Sequence, residues 1–335
     1  MRSLDVPGPT RTPWSVIGLG TWQFGSTEWG YGAGFDGEAA RIVARARELG
    51  VTVFDTAEVY GFGRSERILG EALRACGGTD DVVLATKFLP LLPLGPVLEQ
   101  RAVASAARLG VSSIDLYQIH KPHPLLGDSS AMRGMAALQR IGLVGAAGVS
   151  AYPMARWRTA DAALGAPVHS NQVEFSLLRR EPAAELVPFA VEQRRVVIAY
   201  SPLAQGLLTA RYDETNRPSN AVRRNTAWLP ENLRALRPLH DVLRDVASGH
   251  DATPAQVALA WVVHHPNTVA IPGASSLAQL ESNVAAAAIT LTADEHDGLT
   301  AAAAAVRRTL GPRALPALAR DLTSSGRGPF GHVAV

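Results

Sequence analysis

The chain has 335 residues, 47% of them hydrophobic, and its 32 Lys and Arg residues nearly balance 30 Asp and Glu residues, for a formal net charge of +2. This balance is typical of a globular protein and argues against a nucleic-acid partner. A single cysteine, Cys76, excludes an intrachain disulfide and a cysteine-based zinc site, and fits a reducing compartment. Residues 1–13 hold no apolar segment of signal-peptide length and no apolar run could span a bilayer, so we expect a cytoplasmic protein without a membrane partner.

Eight short apolar segments recur along the chain, and Ala-rich segments with helical periodicity separate them. The segments cover residues 16–22, 51–57, 81–87, 113–120, 144–150, 168–174, 196–201 and 268–273. Eight strands that alternate with helices predict an α/β fold, a parallel sheet closed into a (β/α)8 TIM barrel. No second domain is visible, so we assign residues 1–310 to one barrel domain.

Local signals mark the ends of several helices. Asp36 is predicted as an N-cap and Gly50 as the left-handed residue that ends the same helix, while Thr253 before Pro254 marks another start. The segment 203–229 follows the seventh strand and is too long for a simple connection, so we predict a lid loop there. Residues 311–335 are predicted to be a flexible tail.

Polar side chains stand at the carboxyl ends of the predicted strands. They are Asp55, Lys87, His120, Ser150, Gln172, Glu174 and Ser201. Because the active sites of (β/α)8 enzymes lie at that rim of the barrel, this one-sided placement indicates an enzyme.

A dinucleotide-binding fingerprint is a competing interpretation. Gly32, Gly34 and Gly37 match G-x-G-x-x-G, and Asp55 follows at a suitable distance. The fingerprint needs a strand that leads directly into its glycine turn, and none precedes Gly32, so this interpretation is disfavoured.

Two other site types are also disfavoured. The segment 148–152 resembles a nucleophile elbow but has tyrosine in place of the second glycine. The pairs His120/His123 and His264/His265 lack a convincing third ligand, so no metal site is predicted.

Four titratable groups are expected to meet at the barrel mouth: Asp55, Tyr60, Lys87 and His120. A buried Asp55 would be costly unless Lys87 neutralised it, and the same ammonium would then lie against Tyr60. A nearby cation favours phenolate, which brings the pKa of Tyr60 closer to a value useful for proton donation. His120 could hydrogen-bond a carbonyl oxygen and share its developing negative charge. For any one of these residues, a structural role is the simpler interpretation; the four together favour catalysis.

Seven motifs, in order and spacing, resemble the aldo-keto reductase family. They are FDTAEVYG (54–61), LATKF (84–88), LYQIHKP (116–122), GVS (148–150), NQVEFSLL (171–178), AYSPLAQGLL (199–208) and IPGASSLAQLESN (271–283). The resemblance covers about residues 14–300. It implies NAD(P)H-dependent reduction of a carbonyl, with Tyr60 as proton donor, Lys87 and Asp55 tuning it, and His120 positioning the substrate.

The resemblance also implies a cofactor site at the rim. It assigns Ser150, Asn171 and Gln172 to the nicotinamide carboxamide and Tyr200 to the ring, although Ala151 replaces the asparagine that often follows the serine in this family. Ser201, Leu203 and Gly206 are implied along the pyrophosphate. It also implies cofactor contacts for Gly20, Thr21 and Trp22 at the rim of the first strand, and for Asp55.

Phosphate recognition is expected at the loop after the eighth strand, where a helix start attracts anions. Its residues are Gly273, Ser275, Ser276, Gln279 and Asn283. Many relatives place Arg or Lys here, whereas this chain has uncharged hydrogen-bonding groups. NADPH is the predicted cofactor, with NADH possible.

Aromatic side chains near the rim are candidates for the substrate pocket: Trp22, Phe88 and Trp228. The substrate is expected to be a small carbonyl compound or alcohol, and oligomeric state is not readable. Two rival functions stay open. One is a nicotinamide-nucleotide-binding regulatory subunit with little turnover. The other is a lyase or aldolase that uses Lys87 as a Schiff-base nucleophile.

Overall fold

Eight parallel strands follow one another in sequence order in a single sheet. The computed structural model describes residues 1–4, 12–25, 33–218 and 225–324. The strands are β1 (Leu19–Gly20), β2 (Val53–Asp55), β3 (Val83–Phe88), β4 (Ile114–Ile119), β5 (Val144–Ser150), β6 (Ser170–Glu174), β7 (Val196–Tyr200) and β8 (Thr268–Ala270). Parallel bridges from Ile17 to Ala270 and from Gly20 to Gly273 join the first strand to the last. The predicted (β/α)8 barrel is confirmed, and a strand lies at each of the eight predicted segments, with β3 ending one residue past its segment.

Helices fill the intervals between the strands. They are α1 (Asp36–Glu48), α2 (Arg64–Ala75), α3 (Gly95–Leu109), α4 (Ser129–Arg140), α5 (Met154–Leu164), α6 (Glu181–Glu192), α7 (Pro230–Ala235), α8 (Arg237–Gly249), α9 (Pro254–His264), α10 (Leu277–Ala285), α11 (Ala293–Ala305) and α12 (Leu315–Ser324). No helix in these described ranges is long and apolar enough to cross a membrane.

Alternation along the strands separates the barrel interior from the layer beneath the helices. The interior is a cluster of mostly small and branched side chains that also includes Trp14. Its strand members are Val53, Val83, Ala85, Leu116, Ala146, Val196, Ile198 and Val269. Two residues further along the same strands, the same face carries Asp55, Lys87 and Gln118. The polar residues of the rim therefore follow the register of the apolar core.

The chain divides into two compact units. The barrel unit comprises Met1–Pro202 and Leu259–Thr290, and contains all eight strands. The second unit comprises Leu203–Ala258 and Leu291–Val335.

The second unit includes the predicted lid and the predicted tail. The predicted lid includes two 3-10 helices, Ala204–Thr209 and Thr226–Trp228, while its residues 219–224 lie outside the described part of the chain. Within the predicted tail, residues 311–324 form a 3-10 helix, Gly311–Ala314, followed by α12, and residues 325–335 lie outside the described part of the chain. Asp321 on α12 forms a largely buried ion pair with Arg217 of the lid segment at 2.8 Å.

The helix ends predicted from local capping residues are partly confirmed. Gly50 has the predicted left-handed conformation, with φ of 79°, and α9 begins at Pro254 after Thr253, whose hydroxyl accepts a hydrogen bond from the Gln256 amide. The prediction of Asp36 as an N-cap is wrong. Asp36 lies inside α1 and its carboxylate binds Arg64 at 2.7 and 2.8 Å. An ion pair with a side chain of α2 replaces the cap.

Candidate active site

The centre of the site is a buried ion pair between two neighbouring strands. Asp55 ends β2, Lys87 lies near the end of β3, and Lys87 Nζ is 2.5 Å from Asp55 Oδ1. The side chains are 3% and 0% exposed, respectively. Lys87 Nζ also donates to the Thr56 carbonyl at 2.8 Å. Burial lowers the pKa of Lys87, but the Asp55 carboxylate and Tyr60 raise it, and the net shift is upward. The amine is therefore an ammonium ion at neutral pH.

Tyr60 lies on the other side of the ammonium ion. Its Oη is 3.3 Å from Lys87 Nζ, and the ammonium lies 5.0 Å from the centre of the tyrosine ring. Burial raises the pKa of Tyr60, and the lowering effect of Lys87 does not outweigh it. This differs from the sequence-based expectation of a lowered pKa, because the low-dielectric surroundings penalise phenolate more than the paired cation favours it. Tyr60 thus carries its proton at neutral pH.

The loop after β2 holds Tyr60 in place through buried hydroxyl groups. Thr21 donates to the Asp55 carbonyl at 3.0 Å, and its hydroxyl lies 2.8 Å from that of Ser65, which is in turn 2.9 Å from the hydroxyl of Thr56. A Cβ on Gly61 would lie 2.6 Å from the Gly25 carbonyl oxygen, so the close approach of this loop to the chain after β1 requires glycine. The tyrosine is therefore carried by a tightly packed loop.

His120 completes the group of four. It follows β4, its backbone N–H donates to the Phe88 carbonyl at 2.8 Å, and its ring centre lies 5.7 Å from that of Tyr60. Burial lowers the pKa of His120 to about 3, with further lowering by Lys87 and Lys121. The ring is neutral at neutral pH and has one N–H to donate. The structure brings Asp55, Tyr60, Lys87 and His120 together as predicted by strand order.

Two predicted carboxamide-binding residues lie beside this group. The Ser150 hydroxyl, at the end of β5, donates to the Gln172 carbonyl at 2.9 Å, and the Gln172 side-chain amide donates to Asp55 Oδ2 at 2.7 Å. Asn171 differs from its neighbours. It is fully buried, and its side chain donates to the Tyr152 carbonyl at 2.8 Å and accepts from the Tyr152 amide at 3.4 Å. Neighbouring side chains of a strand point to opposite faces, so Asn171 points away from the face where Gln172 contacts Asp55. Its position and its hydrogen bonds argue against the cofactor contact predicted for Asn171.

Other predicted cofactor residues line the rim of the barrel unit. Tyr200 ends β7 and is half-buried, and Ser201 follows it with a left-handed φ of 49°. Gly20 ends β1, where a Cβ would lie 2.7 Å from the Ile271 carbonyl oxygen. Trp22 is 37% exposed just beyond this strand. Tyr200 and Trp22 therefore lie at the mouth, half-buried and exposed, respectively.

The loop after β8 forms the start of α10. Ser276 is the N-cap and accepts a hydrogen bond from the Gln279 amide, while the Gln279 side chain accepts from both the amide and the hydroxyl of Ser275 at 2.9 Å. Asn283 donates to the Gly273 carbonyl at 3.3 Å, which fastens the loop to the helix. The arrangement presents hydroxyl groups and backbone N–H groups at a helix N-terminus, a favourable environment for an anion.

Three comparisons with known proteins are consistent with this geometry. The sequence profile of the Aldo/keto reductase family matches residues 16–304. The chain belongs to the aldo/keto reductase family. An uncharacterized oxidoreductase of Mycobacterium tuberculosis is 55% identical over 327 residues, which is 97% of this chain and 99% of that protein. Aldo-keto reductase YhdN of Bacillus subtilis is 31% identical over 80% of this chain and 83% of its own length.

Solved aldo/keto reductase structures share the architecture. The glycerol dehydrogenase AKR11B4 of Gluconobacter oxydans superposes with a TM-score of 0.83 at 27% identity, covering 92% of this chain and 98% of that one. An aldo-keto reductase of Klebsiella pneumoniae in complex with NADPH superposes with a TM-score of 0.72 at 27% identity, covering 89% and 94%.

In this aldo/keto reductase, the three aromatic residues predicted to contact the substrate differ in their exposure to solvent. Phe88 is 1% exposed, and it follows the inward-facing Lys87, so alternation directs it toward the helices. This burial argues against the predicted substrate contact. Trp228 belongs to the second unit, where it is 1% exposed and packs edge-on against Tyr212 with ring centres 5.2 Å apart. Only Trp22 presents an exposed ring.

Two predicted pyrophosphate residues also belong to the second unit. Leu203 accepts hydrogen bonds from the backbone amides of Gly206 and Leu208, at 3.0 and 3.3 Å. Gly206 has φ of 98° and follows Ala204 and Gln205, which are also left-handed. These hydrogen bonds define a sharp turn, and the cofactor roles of both residues remain predictions.

Sequence reasoning missed one residue at the centre of the site. Gln118 on β4 is fully buried, and its side-chain amide donates to Asp55 Oδ2 at 3.3 Å. The signal was present in the motif LYQIHKP, because a glutamine two residues before His120 must face the barrel interior, where most positions are apolar. The motif was interpreted only through its histidine.

Proposed function

We propose that this chain is an NAD(P)H-dependent reductase that converts an aldehyde or ketone to the alcohol, or catalyses the reverse oxidation. One observation carries the proposal: the buried Lys87 ammonium lies between Asp55 Oδ1, at 2.5 Å, and Tyr60 Oη, at 3.3 Å. An ammonium ion in this position stabilises the negative charge that develops on the Tyr60 oxygen as the tyrosine gives up its proton. The arrangement is that of an activated proton donor.

Each of the four residues has a distinct part in the proposed reaction. Tyr60, which burial keeps protonated, gives its proton to the carbonyl oxygen. Lys87 stabilises the resulting phenolate, and Asp55 holds Lys87 in place. His120, neutral because its pKa is about 3, donates a hydrogen bond to the same oxygen without competing to protonate it. The bound nicotinamide nucleotide supplies the hydride.

The residues of the barrel unit suit such a nucleotide. Ser275 and Ser276 offer hydroxyl groups beside the N-terminus of α10, a setting that fits a phosphate. Tyr200, half-buried at the end of β7, would pack on the nicotinamide ring. Gln172 donates its amide to Asp55 and would offer its oxygen to the carboxamide. The NADPH complex of the structurally similar Klebsiella protein supports the same cofactor class here.

We further propose a preference for NADPH over NADH, and this preference should be modest. The loop 273–283 carries no arginine or lysine to pair with a 2′-phosphate. Hydroxyl and amide groups give weaker hydrogen bonds to a phosphate than charged groups do.

The Schiff-base alternative is disfavoured by the state of Lys87. A nucleophilic amine must lose its proton, whereas the net shift raises the pKa of Lys87 beside Asp55. Trapping of a carbonyl substrate on Lys87 by borohydride would favour the lyase instead.

The test is the oxidation of NADPH and of NADH against a panel of aldehydes and ketones, for wild type, Tyr60→Phe and Tyr117→Phe. Tyr117 is a matched control: it is also buried, and its hydroxyl has no hydrogen-bond partner within the described ranges. We expect Tyr60→Phe to lose most turnover while binding NADPH nearly as tightly as wild type, and Tyr117→Phe to keep its turnover.

Two results would contradict the proposal. Equal losses of turnover and cofactor affinity in Tyr60→Phe would remove the assigned role of this hydroxyl. Tight nucleotide binding by wild type without turnover across the panel would favour the nicotinamide-binding regulatory subunit.

A further inference from the structure

The Asp55 carboxylate is held by more than its ion pair. Oδ1 faces Lys87 Nζ at 2.5 Å, whereas Oδ2 accepts from two side-chain amides, Gln172 Nε2 at 2.7 Å and Gln118 Nε2 at 3.3 Å. All of these groups are almost completely buried. One oxygen of the carboxylate therefore has a charged partner, and the other has two neutral partners.

The orientation of the Gln118 amide is fixed by chemistry. A carboxylate oxygen accepts hydrogen bonds and cannot donate, so only the NH2 end of the amide can face Asp55 Oδ2. The opposite end, Gln118 Oε1, is buried and has no hydrogen-bond partner among the described residues. A buried oxygen without a hydrogen-bond partner costs about 1–3 kcal/mol in proteins generally. The chain accepts this cost at the residue whose amide group reaches Asp55.

The neighbouring strand leaves room for this side chain. Gly148 on β5 pairs with Gln118 on β4 and with Ser170 on β6. A Cβ on Gly148 would lie 2.8 Å from Gln118 Cγ and 2.6 Å from Ser170 Oγ. The absence of a side chain at Gly148 thus lets Gln118 lie across the barrel interior toward Asp55.

We propose that Gln118 is a positioning residue of the reductase, which acts through Asp55 on Lys87 and Tyr60. Together with the Gln172 amide, the Gln118 amide occupies Oδ2 and restrains the carboxylate from rotating to bind Lys87 with both oxygens. Lys87 Nζ then stays within 3.3 Å of Tyr60 Oη, where it can stabilise developing phenolate. This inference rests on the proposed function, because it assigns Gln118 a part in proton transfer by Tyr60.

Gln118→Met and Gln118→Glu test the role because a pH-independent loss is expected from the first and a pH-dependent loss from the second. Methionine keeps the length but removes the donor, so we expect kcat to fall about tenfold at every pH, with unchanged NADPH affinity. The carboxyl introduced by Gln118→Glu can donate to Asp55 Oδ2 only while protonated. We therefore expect its turnover to approach that of wild type at low pH and to fall as this carboxyl ionises.

The other titratable groups at this position do not produce that signature. They are Asp55 on β2, Tyr60 after β2, Lys87 on β3 and His120 after β4. His120 is neutral above about pH 3, Tyr60 and Lys87 keep their protons at neutral pH, and Asp55 is common to all variants. A pH-dependent loss seen only in Gln118→Glu reports the introduced group.

The control is Gln139→Met, the same substitution at a glutamine of α4 that donates to the Gly145 carbonyl at the surface. It should leave kcat and the pH profile unchanged. A purely structural role for Gln118 predicts instead that both Gln118 variants change the unfolding midpoint but neither kcat nor the pH profile, and that result overturns the proposal.

A second measurement keeps the two proposals apart. The coupling between Gln118→Met and Asp55→Asn, measured from unfolding midpoints in a double-mutant cycle, reports the hydrogen bond without any turnover. Turnover in wild type with unaltered Gln118 variants refutes the positioning role alone. No turnover in wild type refutes the proposed function and the positioning role together, even if the coupling is present.

Discussion

The buried pair of Asp55 and Lys87 allows stability and turnover to be separated by mutation. Lys87→Met removes the cation and keeps a side chain of similar length. The Asp55 side chain is 3% exposed in the native chain, and its carboxylate keeps the amides of Gln118 and Gln172 as its side-chain partners among the described residues. Removal of one member of a buried ion pair costs about 3–5 kcal/mol, because the remaining charge is buried without compensation.

The expected change in thermal stability follows from the size of the chain. Unfolding entropy is about 2.1 cal/mol/K per residue, or about 0.7 kcal/mol/K for 335 residues. A loss of about 3–5 kcal/mol therefore lowers the unfolding midpoint by about 4–7 °C. The double variant Asp55→Asn/Lys87→Met replaces both charges with neutral groups of similar shape, and most of this loss should be recovered.

The assay compares four proteins: wild type, Lys87→Met, Asp55→Asn and the double variant. Each is measured by thermal unfolding and by carbonyl reduction with NADPH. We expect all three variants to lose most turnover, and the double variant alone to unfold near the wild-type midpoint. A Lys87→Met protein as stable as wild type, or a double variant that turns over normally, would refute the reasoning.

Three further predictions concern pH and local conformation. The pKa of His120 falls from an ordinary 6.5 to about 3 in the folded chain, so the unfolded chain takes up a proton first as pH falls. Stability is therefore lost below about pH 6.5, and His120→Gln should reduce this loss by about 1.4 kcal/mol per pH unit between pH 6 and 4. Ala151 is exposed with a left-handed φ of 57°, so Ala151→Gly should stabilise by about 0.5–1 kcal/mol, whereas Ala162→Gly in helix α5 should destabilise by a similar amount. Asp321→Asn weakens the ion pair with Arg217 and should speed proteolysis of the segment 311–324.

Each of these predictions has a measurement that can contradict it. Urea unfolding from pH 7 to pH 4 should show a shallower decline for His120→Gln, and parallel curves would mean that the ring is protonated in the folded chain. Glycine variants with the same sign of effect would refute the conformational argument. Equal cleavage rates for Asp321→Asn and wild type would show that the ion pair does not hold α12.

Local sequence patterns were most reliable where one physical rule dominates. The eight strands are short apolar segments bounded by polar residues, and each observed strand lies within its predicted segment except β3, which ends one residue later, at Phe88. Asp55, Lys87 and His120 meet because the carboxyl ends of parallel strands lie on one side of a barrel. Neither inference needs knowledge of which side chains touch.

Expectation and structure differ where a distant group binds the residue or where strand alternation buries it. Asp36 was expected to cap α1, yet Arg64 binds its carboxylate. Asn171 was expected at the cofactor, yet its amide binds the Tyr152 backbone. The burial of Phe88 follows from its place after Lys87 in the strand. Strand alternation in the sequence indicates which face of the sheet Phe88 and Gln118 occupy. It does not indicate which residues they contact.

The sequence by itself determined the (β/α)8 fold and the gathering of four titratable residues at one rim, because strand periodicity and chain order decide both. Only the tertiary structure decided the protonation of Tyr60, the contacts of both Asp55 oxygens and the ion pair between Arg217 and α12. A pKa depends on the balance between burial and neighbouring charge, and a hydrogen bond on a few tenths of an ångström. Such quantities are set by packing between segments far apart in the chain.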